Sequence, residues 1–129
     1  MPTLEETDKY LNSDNPNKRS EWIDSLLSTT DYAEFFANKW SSILRNKRKA
    51  DTYTRGTQAF HEWIRQSFHI NKPYNQFVAE LVTARGEISH NPATAWFRNV
   101  TDQKERLQDT AQVLLGVRLQ CAECHHHPY

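Results

Sequence analysis

The chain has 129 residues, with 16 basic and 16 acidic side chains and no formal net charge. That balance lacks the basic excess of a nucleic-acid-binding surface, and no apolar run approaches the eighteen or so residues of a membrane span. Three Gly and five Pro are too few for an all-β chain and its many turns, so an all-α domain is expected.

Mean hydropathy is −0.85 and only 37% of residues are hydrophobic, which leaves each helix a narrow apolar face. Four Trp, five Tyr and six Phe supply much of the buriable surface. The expected architecture is one irregular domain of about five to six helices, over residues 16–129, preceded by a polar arm at 1–15.

In chain order, residues 1–15 are polar apart from Leu4, Tyr10 and Leu11. From Asn17, Trp22 with Leu26 and Ile23 with Leu27 form i,i+4 pairs of a helix. Thr30 or Asp31 suits the cap of a second helix, whose stripe holds Tyr32, Phe35, Phe36, Trp40, Ile43 and Leu44. It closes on the basic stretch Arg45 to Lys49, which suits a helix C-terminus. After a loop from Asp51 to Gly56, a third helix is expected over 57–69, with Phe60, Trp63, Ile64 and Phe68 at helical spacing.

Pro73 separates the third helix from a fourth helical segment, in which Phe77, Val78, Leu81 and Val82 repeat the pattern. Residues 85–91 read as loop, and Asn91-Pro92 opens a short helix with Trp96 and Phe97. The last helix begins at Thr101 or Asp102, with Glu105 completing a capping box. Its inner face takes Leu107, Ala111, Leu114, Leu115 and Leu119, and it is expected to run straight into Cys121.

The chain closes on Cys121-Ala-Glu-Cys-His-His-His-Pro-Tyr129. Cys-x-x-Cys-His is a compact device: two thiols one turn apart add to the vinyl groups of a haem, and the next His ligates iron. On this reading Cys121 and Cys124 are covalent attachment points for haem c, and His125 is the proximal ligand. The alternative is zinc or another transition metal, with Cys121, Cys124 and two of His125, His126 and His127 as ligands. Zinc ligands more often come as two separated pairs. A redox-active dithiol fits poorly, because the pair follows a helix where such thiols open one. A helical interaction domain with an empty motif is the remaining alternative.

The chain resembles the planctomycete cytochrome C domain family. The likeness is carried by Trp22-Ile-Asp-Ser-Leu-Leu27, Asp31-Tyr32, Trp40, Phe60-His-Glu-Trp-Ile-Arg65 and Asn71-Lys-Pro-Tyr-Asn-Gln-Phe77. It continues through Thr110-Ala-Gln-Val-Leu-Leu-Gly-Val-Arg-Leu-Gln-Cys121 and the closing motif, covering about residues 20–129. The resemblance implies a c-type cytochrome-like role, with Cys121 and Cys124 as attachment thiols and His125 as proximal ligand. His127 and Pro128 match the family pattern, and a second metal or a propionate is the expected partner of His127. Asn75 and Tyr129 depart from it.

Members continue beyond this motif into a second conserved domain, so a fragment of a larger protein is expected. Haem of this kind is attached outside the cytoplasm, which implies a periplasmic, secreted or cell-surface parent. No signal peptide is visible in MPTLEETDKY.

For a sixth iron ligand, Met1 is excluded as the start residue, leaving His61, His69 and His90. A structural or surface histidine is the simpler reading of each. The cluster Arg45, Lys47, Arg48, Lys49 and Arg55 reads as a solvated helix end, and the four Trp as core. No paired carboxylates, phosphate loop or Ser-His-Asp arrangement is visible. The sequence therefore points to an electron-transfer or binding module, more than a catalyst by itself, with a redox partner it does not specify.

Overall fold

The computed structural model describes residues 2–48, 54–98 and 100–124. The fold is all-helical, as expected: six α-helices and two 3-10 segments stand among the described residues, with no strand. The helices are α1 (Leu4–Leu11), α2 (Lys18–Leu27), α3 (Thr30–Ile43), α4 (Thr54–His69), α5 (Tyr74–Val82) and α6 (Gln103–Leu115). The 3-10 segments are Pro92–Arg98 and Cys121–Glu123. None of these helices is long and apolar enough to cross a membrane.

The expected arm contains a true helix. Thr3 caps α1 by accepting from the Glu6 backbone N–H, while the Glu6 carboxylate accepts from that of Thr3, a capping box the sequence reading missed. Hydrogen bonds from Thr3 hold the Glu6 carboxyl below its usual range. Neither α1 nor α2 buries a residue; Leu4, Leu11, Ile23, Leu26 and Leu27 are all exposed. Tyr10 and Trp22 meet across the two helices, ring centroids 6.2 Å apart.

The core draws on α3, α4, α5, the Pro92–Arg98 segment and the inner face of α6. Phe60, Ile64, Leu44 and Leu81 are its largest fully buried side chains, joined by Phe77, Trp96 and Leu114. Two alanines, Ala33 and Ala37, face inward from α3, and their small size lets α4 approach closely. Around this kernel runs a layer of rings: Trp63 stacks on Phe77 at 4.9 Å, Phe36 on Phe68 at 5.6 Å, and Trp40 meets Phe77 edge-on at 5.3 Å. Such contacts add about 0.5–1.5 kcal/mol each beyond the area they bury.

Element boundaries shift from the sequence reading for identifiable reasons. Thr29, not Thr30, caps α3 by accepting from the Tyr32 N–H. Helix α4 takes in Thr54, Arg55 and Gly56, which had read as loop; Lys49 and Asp51 lie outside the described residues. The short helix after Pro92 is 3-10 in type. The larger correction is at α6, which does not run into Cys121: Gly116 (φ 68°) stops it in the left-handed region. Leu107 and Leu115 are exposed and Leu119 lies beyond the helix, so the buried residues of α6 are Ala111 and Leu114.

Candidate functional site

Helix α6 fixes the end of the chain that carries the cysteines. Asp102 caps it, its Oδ1 accepting from the backbone N–H groups of Lys104 (2.9 Å) and Glu105 (3.0 Å). Asp109 receives both outer nitrogens of Arg45 at 2.9 Å, Tyr74 Oη donates to the Leu114 carbonyl at 3.1 Å, and Arg106 lies over the Phe97 ring. One residue of the expected solvated basic cluster, Arg45, thus clamps α6 to the end of α3.

At the C-terminus of α6, the N–H groups of Gly116 and Val117 return to the Ala111 carbonyl, and the chain reverses. It then runs back along α6. Gln120 donates to Gln112 at 3.4 Å, Gln108 donates to Glu123 at 3.2 Å, and Lys104 pairs with Glu123. The hydrogen bond from Lys104 holds the Glu123 carboxyl below the ordinary glutamate value. The same bond raises Lys104, and the charges of Glu123 and Asp102 act in the same direction.

Bonds from Ala122 N to Leu119 O and from Glu123 N to Gln120 O close the 3-10 turn. Cys121 opens that turn and Cys124 follows it. Both are exposed and neither forms a disulfide.

The structure thus brings two thiols onto one turn and anchors the turn through Glu123, which lies between them in sequence. His125, His126, His127, Pro128 and Tyr129 lie outside the described residues. No group of three or more Cys, His, Asp or Glu gathers among the described residues.

The histidines weighed as sixth ligands have other neighbours. His61 bonds Ser41 and Glu34, His90 bonds Ser89 beside Glu87, and His69 ends α4 in the wall of an open hollow that Asp24 and Tyr32 also line. Sizeable hollows lie away from the thiols. One, of about 130 Å³, has Tyr32, Trp40, Phe68, Tyr74 and Phe77 in its walls; a broad open cleft of about 880 Å³ lies between α3 and α4.

The donor chemistry of the turn fits covalent haem attachment: two accessible thiols share a turn, and an imidazole follows in sequence. Leu115 shares the stripe of α6 that carries Lys104 and Gln108, and it is 73% exposed, with Val117 also exposed just beyond. Apolar surface therefore lies along the same edge as the thiols.

The whole chain, residues 1–129, matches the family PSCyt2, described as a protein of unknown function (DUF1549), and the chain belongs to that family. This corrects the resemblance drawn from the sequence: the cytochrome C domain family is not the one the chain belongs to. The match spans every segment on which that likeness rested. No curated protein and no solved structure gives a significant match.

Proposed function

We propose that the chain is a haem-binding, electron-transfer module of a larger extracytoplasmic protein, with haem held at the edge formed by α6 and the Cys121–Glu123 turn. The observation that carries this reading is the pair of exposed thiols on one anchored turn, with His125 next in sequence. Cys121 and Cys124 would hold the haem through thioethers, and His125 would supply an imidazole ligand to its iron. A bound haem supplies one-electron transfer. Lys104 and Gln108 fix the turn through Glu123, while Leu115 and Val117 give part of the apolar cover that raises a redox centre above bulk-water behaviour.

A second reading has one observation in its favour. The turn lies on an open edge, and a single ion needs far less cover than a macrocycle, so Cys121, Cys124, His125 and His127 suit zinc or another transition metal. A pyridine haemochrome assay, with elemental analysis of protein made alongside c-type maturation machinery, separates the two. Haem c with one iron per chain supports the module as stated. Stoichiometric zinc without iron contradicts it and leaves the second reading. A His127→Ala variant with unchanged metal content removes His127 from either site.

A further inference from the structure

Three features outside the thiol turn merit weight: the aromatic-walled hollow, the exposed apolar face of α2, and a hydrogen-bonded Ser-His-Glu chain. The first two show nothing of what fills them. The third has chemistry of its own, and it is the arrangement the sequence reading did not see.

Helices α3 and α4 pack along their lengths, which sets Ser41 in the last turns of α3 against His61 in the first half of α4. Ser41 Oγ lies 2.9 Å from His61 Nδ1, and Glu34 Oε1 lies 3.3 Å from His61 Nε2. Glu34 stands seven residues before Ser41, two turns earlier on the same face of α3, so one imidazole bridges both side chains. The proton assignment follows. A carboxylate only accepts, so Nε2 carries hydrogen toward Glu34 and Nδ1 is left as the acceptor facing the Ser41 hydroxyl. Nucleophile, base and orienting acid stand in the order used for acyl transfer, with the two ring nitrogens exchanged.

The three groups border solvent. Ser41 and His61 are half-buried and lie in the wall of the broad cleft between α3 and α4. Asn38, one turn before Ser41, and Lys47 are also in that wall, and each carries N–H donors suited to a developing oxyanion. The remaining wall residues among the described ones, Ser42, Asn46, Thr57, Gln58 and Glu62, all carry polar side chains, which suits a short acyl group better than a long one. Glu62 and Arg65 pair beside the triad, and the Glu34 carboxylate lies within electrostatic range of Arg65.

We propose that the α3–α4 cleft is a second, hydrolytic site acting on short-chain carboxylic esters, with Ser41 as nucleophile, His61 as base and Glu34 as a positioning residue. Ser41 Oγ bonds to the ester carbonyl carbon as its proton passes to His61 Nδ1. The carbon–oxygen bond to the alcohol breaks, the alcohol leaves with that proton, and the acyl group stays on Oγ. Water then attacks the acyl carbon, giving one proton to Nδ1; that proton returns to Ser41 as the carboxylic acid departs. No redox partner is needed, and the site is independent of the thiol turn.

The test is covalent labelling of the full chain with a fluorophosphonate, the adduct being located by peptide mass spectrometry. The expected adduct lies on Ser41, is absent in Ser41→Ala, and forms about a hundredfold more slowly in His61→Ala, the usual scale of a lost general base. Hydrolysis of p-nitrophenyl acetate by Glu34→Gln is expected to fall about tenfold in kcat with KM unchanged, the signature of an interaction made in the transition state. An adduct elsewhere, or none on a chain with the circular dichroism spectrum of the folded helices, overturns the proposal. Equal labelling rates in the parent and His61→Ala overturn it as well.

Discussion

The kernel around Phe60 and the edge that carries Cys121 are built on opposite terms. In the kernel, Phe60, Ile64, Leu44 and Leu81 are all but inaccessible, and rings from α3, α4 and α5 interlock around them. At the edge, the Cys121–Glu123 turn buries nothing and is held by polar bonds to one helix. Free energy of folding is concentrated in the first region, and chemical accessibility in the second. On the proposed reading, the thiols gain from exposure while the scaffold that presents them gains from burial, and the fold gives each to a different part.

The largest effect that separates the two regions is a truncation in the kernel. Phe60→Ala is expected to lose about 3–5 kcal/mol in chemical denaturation, because the ring is 1% exposed and leaves a cavity its neighbours cannot fill. Cys121→Ser and Cys124→Ser, made in the unligated chain, are expected to leave the denaturation midpoint unchanged; a loss near that of Phe60→Ala would erase the distinction.

Smaller effects belong to the joint between the regions. Asp102→Ala removes the acceptor for two N–H groups of α6 and is expected to cost about 1 kcal/mol by the same measurement. Gly116→Ala places a Cβ at φ 68°, for a cost of about 1–2 kcal/mol. Its more telling consequence is a change in the amide shifts of 117–124 with the kernel unaltered.

The smallest effect concerns pH. Glu123 titrates below its ordinary value of 4.5 in the folded chain because Lys104 bonds its ionised form. The folded-state value is the depressed one, so the anchor's contribution is present above the unfolded value and is lost as pH falls through the folded one. In Lys104→Ala the Glu123 carboxyl is expected to titrate higher than in the parent chain, moving toward its ordinary range, by carbon-detected NMR. An unchanged low midpoint would remove Lys104 as the cause.

Much of the kernel was legible in the sequence because its signals are local. Phe60 and Ile64 recur at helical spacing, Pro73 separates α4 from α5, and Asp102 with Glu105 marks the start of α6. The continuation of α6 to Cys121 was misread because Leu115 and Leu119 extend its apolar period, whereas Gly116 breaks the backbone. Period alone does not register a left-handed residue.

The thiols themselves were visible as a motif, but their anchor was not. The pairing of Lys104 with Glu123 spans a chain reversal that no local pattern records. The Ser41–His61–Glu34 chain was hidden for a related reason: two of its members share a helix face, but His61 arrives only when α4 packs on α3. The one clue was seven-residue spacing between two polar groups on a helix otherwise read for its aromatic stripe.

The most direct measurement is the intact mass of the chain, made alongside c-type maturation machinery and analysed under denaturing conditions. The account predicts a mass increase of one haem per chain, carried by the peptide holding Cys121 and Cys124 and absent from the Cys121→Ser, Cys124→Ser double variant. A chain of unmodified mass from cells that mature a control cytochrome would contradict it.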